Sequence, residues 1–197
     1  SWQHSLAKIM PEGYFTTPLI FLIDTLFSLY IAIVALRLIM QWAQWEYHNP
    51  LVQFIIRATQ LPVKFLRRFI PPAGRWDTAT IILLLALSLI KLLFISFLQT
   101  KSLSLIVLFA WLLADIFTLF ITLFSASLII QVVLSWITPP NSYNPVSPLL
   151  ASMNGPLLKP IRRLLPPMGG IDLSPLFALL GLQVLAMLVV PLLMGHY

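Results

Sequence analysis

Apolar positions along this chain gather into four long runs. The first, Leu19 to Trp42, spans 24 residues and is interrupted by charge only at Asp24 and Arg37. As a helix it would measure about 36 Å, enough to cross a hydrocarbon core of about 30 Å with some tilt. The second, Ile81 to Leu98, holds Lys91. The third, Leu103 to Trp136, carries Asp115 as its one charge and would extend roughly 50 Å, too long for an untilted crossing. This length predicts a crossing helix over about 116–136, with 103–113 as a surface-lying or partly re-entrant segment ahead of it. The fourth run goes from Pro175 to about Met194. The expected fold is all-α: a polytopic membrane protein with four transmembrane helices.

Between the runs one segment occurs twice. Lys64-Phe65-Leu66-Arg67-Arg68-Phe69-Ile70-Pro71-Pro72-Ala73-Gly74-Arg75-Trp76-Asp77 returns 95 residues later as Lys159 to Asp172, with identity at seven of fourteen positions. The identical residues are Lys, both Arg, both Pro, Gly and Asp. Upstream, with one residue of slippage, Arg37 to Trp42 aligns with Gln131 to Trp136, and Asn49-Pro50 with Asn144-Pro145. A period near 95 is too long for a solenoid repeat. One unit of span, basic loop and span has been used twice, in tandem. The expected organisation is a first repeat over 19–98, a connector over 99–115 and a second repeat over 116–194.

Composition agrees with lipid as the solvent. The 197 residues are 59% hydrophobic and 9% charged, against about 25% charged in soluble domains, and mean hydropathy is +0.95. Without cysteine there are no disulfides or thiolate metal sites. Lys8 and Glu12 flank no apolar run, so the first residues do not read as a signal peptide. Net charge is +6, and eight of the twelve Lys and Arg residues sit in the repeated loops: Arg57, Lys64, Arg67, Arg68, Arg75, Lys159, Arg162 and Arg163. Short loops rich in Lys and Arg stay cytoplasmic. Both loops are therefore expected in the cytoplasm and both termini in the periplasm, so that a reporter at Tyr197 should be periplasmic. Trp42 and Trp136 close the first helix of each unit and are the expected interfacial anchors.

Each loop reads as an interfacial helix. Arg57, Lys64 and Arg68 share one helical face, while Leu61, Phe65 and Phe69 share another. In the second loop Lys159, Arg162 and Arg163 oppose Leu158, Ile161 and Leu165. This pattern lays apolar side chains in the membrane and cations toward headgroups. Pro62, Pro156 and Pro160 are expected to break or kink these helices, Gly74 and Gly169 to permit the turn back, and Ser174 to cap the last span. One role for the cations is topogenic, each adding about 1 kcal/mol of attraction to anionic phospholipid. The other is a composite docking surface for lipid or a protein partner, built from Arg57, Lys64, Arg67, Arg68, Lys159, Arg162 and Arg163. Paired arginines suit this because guanidinium grips phosphate or carboxylate in bidentate fashion.

Four charges fall within the spans or at their edge: Asp24, Arg37, Lys91 and Asp115. Such residues are costly in lipid and are candidates for function. Arg37, five residues from Trp42, is expected to snorkel to the cytoplasmic boundary. Asp24 and Lys91 lie at similar depth and predict an ion pair, with Asp115 as the competing partner. That pair either locks helices together or lines an ion pathway. Gln131 and Gln183 read as contacts between helices. The three histidines, His4, His48 and His196, lie near the termini or in a loop, so no cofactor or metal site is expected across the membrane. No phosphate loop, HExxH, GxSxG or selectivity-filter sequence occurs, and an enzyme is not expected. Nor is nucleic acid an expected direct partner.

The duplicated unit, apolar helix, Trp, Asn-Pro, basic stretch, Arg-Arg-x-x-Pro-Pro-x-Gly-x-x-Asp and apolar helix, resembles the YggT family, called YlmG in Gram-positive bacteria and plastids. The resemblance covers about 19–194 and is closest over Leu157 to Pro175. Unit one departs at Arg75-Trp76 and at Phe65, and Gln131 stands where unit one has Arg37. The resemblance implies a two-repeat protein of the bacterial inner membrane. It carries associations with osmotic stress and potassium, with cell-division gene neighbourhoods, and in plastids with cytochrome assembly or nucleoid distribution. These suit a scaffold or assembly subunit that docks a membrane-protein partner or its own copies. The alternatives are a channel or transport component and a cofactor or cytochrome maturation helper.

Overall fold

The structure, a computed structural model, describes residues 13–165 and 169–195, in which six helices and no strand occur. They are α1 (Thr16–Ala43), α2 (Pro50–Arg67), α3 (Thr78–Leu98), α4 (Leu105–Ile137), α5 (Val146–Leu164) and α6 (Ser174–Met194). Four of them, α1, α3, α4 and α6, are long and apolar enough to cross a membrane. They are apolar all round, as lipid-facing helices are. Pro166, Pro167, Met168, the termini with His4, Lys8 and Glu12, and the expected periplasmic Tyr197 lie outside the described residues.

The same helix order occurs twice, and each set of three has its own core. Ile31, Val34 and Leu38 of α1 pack on Val63 of α2 and on Ala79, Leu83 and Leu84 of α3. Leu128 of α4, Leu158 of α5 and Ala178 of α6 make the corresponding cluster. A third cluster joins the sets where the basic helices begin: Ile39, Met40, Trp45, Val52 and Ile55 meet Leu149, Leu150 and Met153. There the Trp45 indole donates to the Leu149 carbonyl at 3.2 Å, and the Asn49 amide donates to the Pro145 carbonyl at 2.8 Å. The two Asn-Pro starts therefore lie together, and both basic helices share one end of the bundle.

The Asn-Pro pair starts these helices as expected. Asn49 Oδ1 accepts from Leu51 N at 3.0 Å with Pro50 in the first turn, and Asn144 Oδ1 accepts from Val146 N at 2.9 Å. Four expectations need correction. The region over 103–113 is no separate surface or re-entrant segment, because α4 runs unbroken for 33 residues from Leu105 to Ile137. Ser104 caps it by accepting from Val107 N, and Asp115 is simply one more helical position. The prolines do not break the basic helices either: α2 contains Pro62 and α5 contains Pro156 and Pro160. Packing against the spans outweighs the lost backbone hydrogen bonds. Ser174 is not the cap of α6 but its first residue, and Asp172 Oδ1 accepts from both Ser174 N and Oγ. Leu158 does not face lipid. It is buried in the second core, with Ile161 packed against it.

Candidate functional site

The repeated Arg-Arg motif is held by the repeated Asp. In the first unit Arg67 Nη2 bonds Asp77 Oδ2, and Thr80 Oγ1 donates to the same oxygen at 3.0 Å. In the second, Arg162 contacts Asp172 Oδ2 at 3.0 Å through Nε and 2.9 Å through Nη2. Each pair spans ten residues and ties the end of a basic helix to the start of the next span. The turn between needs a left-handed residue, which Gly74 (φ 63°) and Gly169 (φ 64°) supply. Burial pushes the Asp77 carboxyl up, but hydrogen bonds from Arg67 and Thr80 and the charges of Arg67 and Arg37 hold it below its ordinary value. Asp172 is likewise lowered, chiefly by the Ser174 hydroxyl; burial opposes this, and the Ser174 N–H and then Arg162 add to the lowering.

Arg37 does not snorkel. It is 4% exposed, and Nη1 donates to Thr59 Oγ1 at 2.9 Å and Gln60 Oε1 at 3.4 Å. The basic helix α2 brings these polar groups within hydrogen-bond reach, so the guanidinium turns inward. Its Nε and Asp77 Oδ1 are left buried without a partner. In the second unit Gln131, at the place of Arg37, accepts from Asn154 Nδ2 at 2.9 Å, and Asn154 Oδ1 accepts from Ser127 at 2.9 Å. Thr59 and Asn154 are equivalent positions, so the same clasp exists twice, charged once and neutral once. Gln183 contacts Ser125 at 3.3 Å, joining α6 to α4 as expected.

Of the expected docking residues, Arg67 and Arg162 are engaged by carboxylates. Arg57, Lys64, Arg68, Lys159 and Arg163 are exposed and have no carboxylate within 4.0 Å among the described residues. Beside the first set, Leu61 is 83% exposed, and Phe65 and Phe69 are also outward, meeting edge to face with ring centres 5.6 Å apart. Trp42 is half-buried against Phe124 at 6.0 Å, whereas Trp136 is 78% exposed.

At the opposite end, α1, α3 and α4 bring three intramembrane charges together. Lys91 Nζ lies 3.5 Å from Asp24 Oδ1, 3.5 Å from Asp115 Oδ2 and 3.4 Å from Ser28 Oγ. Asp115 shares the lysine rather than competing for it. The ammonium is largely enclosed, while the carboxylates are 53% and 46% exposed.

Sequence reasoning missed the third face of α2. Val52, Ile55, Thr59 and Val63 are buried against α1, α3 and α5. Their spacing of three and four was a readable signal. It also missed two clefts between the repeats. One, of 660 Å³, lies between Trp42, Trp76, Ile81, Phe120 and Phe124. The other, of 380 Å³, lies between α2, α4 and α5 around Trp45 and Phe54. No group of three metal-ligating side chains occurs among the described residues.

Fold and sites together define a two-repeat helical membrane protein. The CCB3/YggT family model matches residues 16–98 and 110–193, and the chain belongs to that family. It is 42% identical over 176 residues to an uncharacterised protein of Pseudomonas aeruginosa, covering 88% of this chain and 89% of the relative. It is 38% identical over 169 residues to the uncharacterised protein YggT of Escherichia coli, covering 86% and 87%. An uncharacterised protein of Vibrio alginolyticus is 40% identical over 166 residues, covering 83% and 88%. No solved structure matches the chain. The family description names no reaction.

Proposed function

We propose that this chain is a non-enzymatic scaffold or assembly subunit of the bacterial inner membrane, with its basic helices cytoplasmic and its termini periplasmic. It docks anionic phospholipid and a membrane-protein partner, or a second copy, through those helices. The observation that carries the reading is the division of labour within the repeated motif. One arginine of each Arg-Arg pair is tied to the fold through Asp77 or Asp172, while Arg68 and Arg163 stay exposed at the shared end. Fixing the first arginine orders the backbone that presents the second, which lowers the entropy lost on binding. The adjoining Leu61, Phe65 and Phe69 supply the apolar side of an interfacial helix.

The test is purification from native membranes in mild detergent, with mass spectrometry of what co-purifies at fixed ratio. A stoichiometric partner or bound anionic lipid that is lost in the Arg68→Glu, Arg163→Glu variant supports docking. Unchanged recovery of both removes the proposal.

A second reading, a channel or transport component linked to osmotic stress or potassium, is favoured by one observation. The Asp24–Lys91–Asp115 cluster holds two carboxylates against one ammonium within the membrane. An ion path predicts that Lys91→Met changes ion flux in proteoliposomes while the protein stays folded. A structural lock predicts a lower unfolding midpoint and no flux in either protein.

A further inference from the structure

We propose that the larger cleft between the repeats seats one anionic phospholipid, with an acyl chain among Leu38, Trp42, Ile81, Phe120 and Phe124 and its phosphate on Arg75. The proposal deepens the docking reading above and rests on it. The cleft holds 660 Å³, and Thr78 is the only non-aromatic polar residue lining it. Water would find few hydrogen-bond partners there, and an unfilled cleft forfeits dispersion contacts that a hydrocarbon chain supplies. Two indoles, Trp42 and Trp76, line it where α1 ends and α3 begins, the depth at which a lipid passes from chain to headgroup.

Arg75 provides the charge complementarity. Its Nη2 donates to the Trp42 carbonyl at 3.2 Å, and its guanidinium lies 5.6 Å from the centre of the Trp76 ring. These contacts hold it beside the cleft. No carboxylate lies within 4.0 Å of it among the described residues, and four of its five N–H groups remain free for phosphate oxygens. The second repeat is an internal control. A cleft of 420 Å³ occupies the equivalent place between Trp136, Ile171 and Pro175, but Gly170 stands where Arg75 would be. The guanidinium that lines it, from Arg162, already belongs to Asp172. Of these two clefts, only the first has a guanidinium free of carboxylates beside it.

Native mass spectrometry of the full chain in detergent, titrated with phosphatidylglycerol and phosphatidylcholine, tests it. The expected result is one tightly retained phosphatidylglycerol. Arg75→Gln should weaken it about tenfold, the loss of one charge-assisted contact. Ala73→Phe, which narrows the cleft, should weaken it too. The Arg68→Gln, Arg163→Gln variant should keep this lipid and lose more weakly held ones. Equal affinity in wild type and Arg75→Gln overturns the cleft site; if the basic-helix variant then loses lipid, the broader docking reading stands. No preference for phosphatidylglycerol in the wild type overturns the cleft site and the lipid part of the docking reading, leaving partner docking to the co-purification test.

Discussion

Helix α2 presents Leu61 and Phe65 outward, with Phe69 just past its end, where the second repeat has Pro156, Pro160 and Leu164 at the equivalent positions. Beneath these faces, α2 receives a buried guanidinium, Arg37 on Thr59, whereas α5 offers Asn154 to the neutral Gln131. The carboxylate that anchors the motif follows the same division: Asp77 is buried, and Asp172 is half-exposed. Duplication has kept where the contacts are made and changed what they are made of. The first repeat concentrates charge inside the protein, and the second keeps it at the surface. Coulombic and hydrogen-bond terms grow as water is excluded, so equal motifs should carry unequal energies.

Removing the carboxylates sharpens this contrast most. Asp77→Ala takes their shared counter-charge from half-exposed Arg67 and buried Arg37 and should cost roughly 2–3 kcal/mol, between an exposed and a buried pair. Asp172→Ala, at a pair open to solvent, should cost less than about 1 kcal/mol. Equilibrium unfolding in mixed micelles measures both, and equal losses would erase the distinction between the repeats.

The clasps come next. Thr59→Val takes a hydrogen bond from a buried charge and should cost about 2 kcal/mol. Asn154→Leu removes neutral bonds between helices and should cost about 1 kcal/mol. Paired with Arg37→Met, the Thr59 change should become nearly silent, because no charge remains to be satisfied.

Acid gives the smallest effect, since a protonated carboxyl keeps part of its hydrogen bonding. Both folded-state pKa values lie below the ordinary one, so the stabilisation is complete above an unfolded value of about 3.9 and is lost as pH falls through the folded values. The unfolding midpoint should hold steady from pH 7 to about 5 and drop below about 4. Asp77→Asn and Asp172→Asn should each flatten part of that drop.

Several features were legible in advance for physical reasons. The four spans follow from run lengths that match a bilayer, and the start of α2 and α5 from Asn-Pro, whose side chain caps and whose ring pre-sets φ. The meeting of Lys91 with Asp24 was legible from depth alone, because an unpaired charge in lipid is costly. Other features were not. The run from Leu103 to Trp136 exceeds one crossing, and length cannot distinguish a long continuous helix from a broken one. Pro62, Pro156 and Pro160 read as breakers because propensity describes an isolated helix, whereas α2 and α5 are supported on a packed face. Arg37 read as a snorkelling residue because its distance to Trp42 is visible in the chain and its distance to Thr59 is not.

The sequence by itself determined the solvent, the number of spans, the duplication and the position of the repeated cations, since each depends on residue type and spacing along one chain. Only the tertiary structure decided which arginine of each pair is tied down, that one lysine serves two carboxylates, and that clefts remain between the repeats. The reason lies in the spans themselves. Helices apolar on every side carry no stripe that says which face meets a neighbour and which meets lipid, so their partners emerge only when the packed bundle brings residues distant in sequence into contact.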